Sequence, residues 1–325
     1  MNLYIDVVGS CNLACPSCPA GNSVNNNSKG SMPPELLEAI VKKAKKENAS
    51  SIGLYNWTEP LIHPKIGELI SIVRSHGIFC SISSNLNLDK RLEDVVRANP
   101  EHLRVSVSGF SQEVYSTFHE GGDIGMVKAN MLKLAELKKQ YGTTTRVDIY
   151  YHRYLGNLDD EIRMKKFAED LGFQFLASWA LIMPLEKGVA IAENDESLIS
   201  EKDRLIISKL ALPFLDAINI SKNYRDTPCA LKDDQIVLDC QGNVILCCGV
   251  FDQGKYNLGS YLDMSLDVIQ QKKYSDADCV EMCDSCTKHG LHVYGQFPDK
   301  LPEFNQLASV NILKNYGARL GVNIN

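Results

Sequence analysis

Three cysteines within eight residues, Cys11, Cys15 and Cys18, constrain this chain more than any other feature. They are spaced C-x3-C-x2-C and directly follow a short apolar run, Leu3 to Val8, that reads as a strand. A loop folded back on itself can point three such thiolates at one centre. Three ligands close neither a tetrahedral zinc site, which takes four, nor a fully protein-ligated iron–sulfur cluster. The spacing therefore predicts a cubane with one iron open to a non-protein ligand. Three buried structural cysteines are the plain alternative, but cysteine runs this dense are more often iron–sulfur ligands.

The stretch from Leu3 to about Leu176 alternates short apolar or β-branched runs with helix-period segments. Strands are expected at Leu3–Val8, Ser51–Leu54, Ile78–Ile82, Leu103–Val107, Arg146–Tyr151 and Phe173–Ala177. Helical faces are expected from Leu36, Leu37, Ile40, Val41 and Ala44, from Val127, Met131 and Leu134, and from Ile162, Phe167, Ala168 and Leu171. Met126 and Met131 read as core filler. Repeated βα units predict an α/β fold with a parallel sheet and helices outside it. The long loop from Gly9 to Pro33 carries the first cysteines and an Asn-rich patch, Asn22 to Ser31, suited to closing over a substrate.

The cysteine motif resembles that of the radical S-adenosylmethionine (SAM) family. That resemblance implies a [4Fe–4S] cluster whose open iron chelates SAM, and a partial (β/α)6 barrel around it. It also implies that one-electron reduction releases a 5′-deoxyadenosyl radical, which takes hydrogen from unactivated carbon. One position departs from the family pattern, where the residue before the third cysteine is usually aromatic; here it is Ser17.

Asn56-Trp57-Thr58-Glu59-Pro60 follows the second expected strand. Ligands in α/β folds sit beyond the carboxyl ends of strands, which places Glu59 for a cationic group. The segment is similar to the family's Gly-Gly-Glu-Pro motif, with Trp57 and Thr58 replacing two glycines. The resemblance puts SAM's amino group on Glu59, with Asn56 beside it. Ser83-Ser84-Asn85 and Ser106-Val107-Ser108 resemble the family's ribose- and carboxylate-contacting positions. Ser84, Asn85, Ser106 and Ser108 thus join the candidate cofactor-binding set. Arg153, at the end of the fifth strand, is a candidate for SAM's carboxylate or an anionic substrate, and reads equally well as a solvated arginine.

Seven of the eleven cysteines lie between Thr227 and His292. Gln235–Asp239 and Asn243–Leu246 read as a hairpin around Gln241-Gly242, followed by a helical stretch from Asp263 to Lys272 and a C-x2-C turn at Cys283. Cys229, Cys247, Cys283 and Cys286 make four ligands, enough to close a cluster. This resembles the SPASM/twitch auxiliary-cluster extension of radical SAM enzymes in its short, single-cluster form. Cys279 repeats the C-x3-C-x2-C spacing with Cys283 and Cys286 and is a rival ligand. Zinc on Cys283, Cys286, His289 and His292 offers the right ligand types at a spacing tighter than zinc fingers use. Cys80 reads as a small buried hydrophobe. Cys248 adjoins Cys247, so strand alternation would turn it away from the cluster toward the barrel mouth, as a catalytic hydrogen donor.

Composition bounds the rest. Apolar content of 44 % and charged content of 23 % suit a globular enzyme, and a net charge of −6 disfavours nucleic acid. No apolar run reaches a membrane span, since Phe175 to Leu185 contains Ser178 and Pro184. Eleven cysteines without an export signal predict metal binding in the reducing cytoplasm. The expected organisation is a barrel at 1–194, a linker at 195–226, an auxiliary-cluster unit at 227–295 and a helical tail at 296–325. Ser200-Glu201-Lys202-Asp203 marks a helix start within the linker. Only ten residues precede Cys11, which disfavours a peptide substrate. The arrangement is similar to two carbohydrate-modifying members, the 2-deoxy-scyllo-inosamine dehydrogenase and the neomycin C epimerase. The expectation is thus an epimerase acting on a sugar, aminoglycoside or aminocyclitol in antibiotic biosynthesis, served by a flavodoxin- or ferredoxin-type reductant. The alternatives are an alcohol dehydrogenase, a peptide-modifying enzyme and a non-enzymatic electron carrier.

Overall fold

The computed structural model describes residues 1–22 and 29–316 of the chain. Six parallel strands form the sheet's main body: β1 (Asn2–Ile5), β2 (Ser51–Gly53), β3 (Phe79–Ser84), β4 (His102–Val107), β5 (Arg146–Arg153) and β6 (Gln174–Trp179). Three more strands, β7 (Gln235–Leu238), β8 (Asn243–Ile245) and β9 (Asn257–Ser260), complete a nine-stranded sheet in the order β6-β5-β4-β3-β2-β1-β7-β8-β9. β7 runs parallel to β1, from Asn2 opposite Gln235 to Ile5 opposite Leu238, and β8 and β9 follow antiparallel. The segment expected as a separate C-terminal unit therefore extends the barrel's own sheet.

Strand alternation sorts the side chains. In β4, Leu103, Val105 and Val107 are buried in the core, while His102, Arg104 and Ser106 point to the other face. Helix Pro34–Lys46 opens on a proline, whose fixed φ suits the first helical position, and buries Leu37, Ile40, Val41 and Ala44. Helix Ile124–Tyr141 is capped by the Asp123 carboxylate, which accepts from Gly125 and Met126, and it ends at Gly142 with φ of 60°. Met131 is buried there, but Met126 is exposed. Ile162 is also exposed, because helix Leu158–Asp170 turns Leu158, Asp160, Met164 and Ala168 inward instead. Ser200 and Asp203 form the expected reciprocal cap at the start of helix Glu201–Lys209.

Two local expectations are corrected. The C-x2-C pair is not in a turn: Cys283 and Cys286 lie one helical turn apart on helix Ala277–Lys288, capped by Asp276. The preceding helix is Leu266–Ser275, started by the Ser265 hydroxyl. Most of the Asn-rich patch, including Asn25–Asn27, lies outside the described residues.

Candidate functional site

Asp6, one residue past β1, organises the first site. Its Oδ1 accepts from the backbone N–H groups of Asn56 (3.1 Å), Trp57 (3.0 Å) and Thr58 (3.0 Å) and from the Thr58 hydroxyl (2.6 Å). Burial nonetheless pushes its carboxyl up to about 6. The Asn56–Pro60 loop is thus fixed by backbone contacts, which explains how Trp57 and Thr58 can stand where glycines were expected. The Trp57 indole N–H donates to Val250 O at 3.0 Å, and its ring meets Phe251 edge-on.

Glu59 is likewise buried. Its Oε1 accepts from Leu61 N (3.0 Å) and Ser84 Oγ (2.8 Å), and its Oε2 from Asn85 N (2.8 Å). Burial raises its carboxyl to about 7. A carboxylate has about four acceptor positions, so Oε2 keeps capacity for one cationic donor. Asn85 in turn donates to Asn12 Oδ1 at 3.0 Å and approaches Cys11 Sγ at 3.8 Å.

The cysteine loop is held by its backbone. Ala14 N donates to Glu120 O and Cys18 N to Cys15 O, each at 2.9 Å. Gly21 closes the turn so tightly that a Cβ there would lie 2.4 Å from Leu13 O. Cys15 Sγ sits 3.7 Å from His119 Nδ1, and Cys18 Sγ 3.9 Å from Trp57 O. Burial pushes Cys11 to about 11, Cys18 to about 12 and Cys15 well up. The thiols therefore hold their protons until a metal displaces them.

These three cysteines line one cavity of about 240 Å³ together with Asn56, Glu59, Ser84, Asn85, Ser106 and Ser108. The cofactor-binding residues expected from sequence converge there, with one exception. Arg153 makes a bidentate pair with Glu161 (2.8 and 2.6 Å) and stacks over Trp179, and it does not line the cavity. The cation that does is Arg104. Its guanidinium lies 5.2 Å from the Tyr55 ring and 5.0 Å from the Tyr150 ring, and its Nε donates to Ser83 at 3.0 Å. Period-two spacing from Ser106 and Ser108 was the signal that could have found it. Also unforeseen are His119 and His152, which burial lowers to about 3 and about 4. Phe118 and Tyr154 stack at 4.0 Å on the same wall, and the Tyr154 hydroxyl meets Ser17 at 3.2 Å. Aromatic surface is thus present beside Ser17, supplied by other segments.

A second cavity, of about 180 Å³, brings together Cys229, Cys247, Cys248, Cys283 and Cys286 among apolar side chains such as Leu181, Leu185, Leu246 and Leu291. Met183 lines both cavities. The expectation for Cys248 changes here. β8 ends at Ile245, so Cys247 and Cys248 lie in the following turn, where strand alternation no longer applies. Both face the thiol cavity, and Cys248 does not line the first one. Cys279 is fully buried on the same helix as Cys283 but is not part of the cavity wall. Nor is a zinc tetrad assembled. His292 Nε2 is bonded to Thr227 O at 2.9 Å, and His289 lies 3.4 Å from Glu193. Among the described residues, no three His, Cys, Asp or Glu groups converge on a single-ion site. Both thiol sets instead surround a space, as a multinuclear group requires, and soft thiolates are its usual ligands.

Residues 5–153, from β1 to the end of β5, match the profile of the Radical SAM superfamily. This stretch is a radical SAM domain. The family's cofactors are SAM and a SAM-binding [4Fe–4S] cluster, which the Cys11/Cys15/Cys18 cavity fits in ligand type and number. A tungsten-containing aldehyde ferredoxin oxidoreductase cofactor-modifying protein from Pyrococcus furiosus is 26 % identical over 147 residues, 43 % of this chain and 40 % of that protein. The chain thus spans well under half of that relative. Solved structures share the fold. SuiB of Streptococcus suis, bound to its precursor peptide SuiA, aligns with a TM-score of 0.60 at 14 % identity, covering 87 % of this chain and 66 % of SuiB. AdoMet-bound anSMEcpe aligns at 0.54 and 18 % identity over 96 % of both chains. BtrN with AdoMet and 2-DOIA aligns at 0.53 and 16 % identity, over 89 % of this chain and 87 % of BtrN. No helix among the described residues is long and apolar enough to cross a membrane.

Proposed function

We propose that this protein is a radical SAM oxidoreductase that oxidises a carbinol of a small hydroxylated molecule, such as a sugar, aminoglycoside or aminocyclitol. Cys11, Cys15 and Cys18 would hold the SAM-binding cluster, and Cys229, Cys247, Cys283 and Cys286 an auxiliary [4Fe–4S] cluster of twitch type. When bound, these groups supply a carbon-centred hydrogen abstractor at the first cavity and an electron acceptor at the second. The chain's own residues do the rest. Glu59 Oε2 and Arg104 orient charged groups of SAM or substrate, and the serines of β3 and β4 offer hydroxyls to a polar ligand. His119 and His152, held neutral by burial, offer imidazole nitrogens as hydrogen-bond acceptors for the carbinol hydroxyl, whose proton passes on to water because burial disfavours the imidazolium form.

One observation carries oxidation ahead of the epimerisation expected from sequence: Cys248 shares the thiol cavity and does not line the SAM cavity. An epimerase needs a hydrogen donor at the substrate radical, and the described thiols lining that cavity are the three motif cysteines. Epimerisation stays as a second reading on a specific ground. Cys248 is within electrostatic reach of Tyr4, whose ring packs edge-on at 5.7 Å against Tyr55 of the SAM cavity. Anaerobic turnover with SAM, dithionite and a panel of aminocyclitols, aminoglycosides and nucleotide sugars in D2O separates the two. Loss of two hydrogens from a substrate supports oxidation, and deuterium uptake without that loss supports epimerisation. Absence of 5′-deoxyadenosine under all conditions would overturn both. A flavodoxin- or ferredoxin-type protein is the reductant such chemistry implies.

A further inference from the structure

We propose that Lys273 is a built-in positive charge for the second centre, raising the reduction potential of the group held there. The inference rests on the auxiliary-cluster reading above and deepens it. Lys273 lies in the last turn of helix Leu266–Ser275 and is fully buried. Its Nζ donates to two backbone carbonyls, Lys232 O and Gln235 O, each at 2.7 Å. Lys232 follows Cys229 and lines the thiol cavity, and Gln235 opens β7, so the ammonium is clamped behind that cavity's wall. Burial holds its ammonium below the usual lysine range, and Cys247, Asp233, Cys229 and Cys283 oppose that shift, so negative charge gathered at the thiols favours the charged form.

A buried ammonium is strongly unfavourable unless negative charge is brought to it. The acid in its neighbourhood is Asp233, whose Oδ1 is already engaged by the Tyr274 hydroxyl (2.6 Å) and Gln270 Nε2 (3.1 Å). Four thiolates around a [4Fe–4S] core provide the missing charge, because the assembly is net negative and gains one further negative charge on reduction. A fixed cation beside it stabilises the reduced form more than the oxidised one. The rest of the wall is mainly apolar, where screening is weak, and Lys232 adds a second cation on the Cys283 side, so the Lys273 variants are compared with Lys232 left in place. A raised potential suits a centre that must accept an electron from substrate.

The test uses the full-length chain carrying Cys11→Ala, Cys15→Ala and Cys18→Ala, so that only the second centre loads. Lys273→Met and Lys273→Gln remove the charge; the glutamine keeps a donor for the two carbonyls and guards against misfolding of the methionine variant. Lys273→Arg keeps the charge. After anaerobic reconstitution, iron content and an EPR-monitored redox titration are measured. Iron of about four per chain is expected throughout. In the neutral variants the reduction equilibrium should fall at least about tenfold, about 59 mV for one electron, with Lys273→Arg near the parent. Unchanged midpoints in fully loaded neutral variants overturn the inference alone. So does a neutral variant that folds by circular dichroism yet binds no iron, which would make Lys273 a packing residue. A parent chain without iron would overturn the auxiliary-cluster reading and this inference with it.

Discussion

Substituting Asp6→Asn tests the account of the first site through the pH dependence of stability. Asparagine keeps an oxygen where Oδ1 accepts from Asn56, Trp57 and Thr58, so the loop's backbone donors stay partnered. What it removes is a titrating carboxyl that burial has raised from 3.8 to about 6. Between those two values the folded chain retains a proton that the unfolded chain has released. The folded state therefore binds more protons in this window, and wild-type stability falls as pH rises through it. Each pH unit is worth about 1.4 kcal/mol, so the full window amounts to about 3 kcal/mol, of which about 2 kcal/mol lies above pH 4.5. The neutral amide carries no such dependence. Urea denaturation of the cluster-free proteins under reductant, from pH 4.5 to 7.5, should show wild type losing about 2 kcal/mol relative to Asp6→Asn up to about pH 6. The difference should then level off. A difference that stays flat across that range, or rises with pH, would falsify the assignment of Asp6 as a desolvated carboxylate clamping the loop.

Glu59→Gln keeps the shape and an oxygen for Leu61 and Ser84, and loses the charge together with the acceptor that Oε2 offers to Asn85 N–H. SAM binding by anaerobic calorimetry should weaken about ten- to a hundredfold with cluster content unchanged, the worth of one charge-assisted bond; equal affinity would leave Glu59 a purely architectural residue. Arg153→Met breaks a half-buried pair with Glu161 and should cost about 1 kcal/mol of stability without changing SAM affinity. Arg104→Met should instead weaken SAM or substrate binding, and a reversal of that order would restore the sequence-based choice of Arg153. Cys248→Ala should leave the iron content and substrate oxidation intact; loaded enzyme that cleaves SAM but forms no product would move epimerisation to first place.

What could be read from the sequence follows from how local each determinant is. Cys11, Cys15 and Cys18 are legible because their spacing alone brings them onto one loop. Glu59, Ser84, Asn85, Ser106 and Ser108 are legible because each ends or follows a parallel strand, and parallel strands deliver their ends to one rim. Asp6 was missed because its partners lie fifty or more residues away, and nothing near it in sequence announces a clamp. Arg153 was misread for the complementary reason. Its position at a strand end is the same as that of the cavity-lining residues, but Glu161, eight residues on in the next helix, captures it. Cys248 shows how sensitive a period-two argument is to a strand's end, since carrying the alternation past Ile245 as far as Cys248 reversed the inferred direction.

The two cavities adjoin because of how the sheet's flanks meet. β6 and the β7–β9 extension lie on opposite sides of the sheet, with β1 to β5 between them. The segment after β6, Leu181 to Leu185, lines the thiol cavity, and Leu185 N donates to Gly249 O at 2.7 Å, immediately beyond Cys248. The turn after β8 thereby joins the far flank, and the thiols collect along that seam. Trp57 ties the same turn to the first site through Val250, and Met183 forms a wall common to both. Because the thiol-bearing segment continues the same sheet from β1 through β7, the thiol cavity comes to lie beside the motif-cysteine cavity. One hydrophobic core runs from Leu3 to Ile312 and holds both walls, so the two cavities keep a fixed separation as long as that core stays packed.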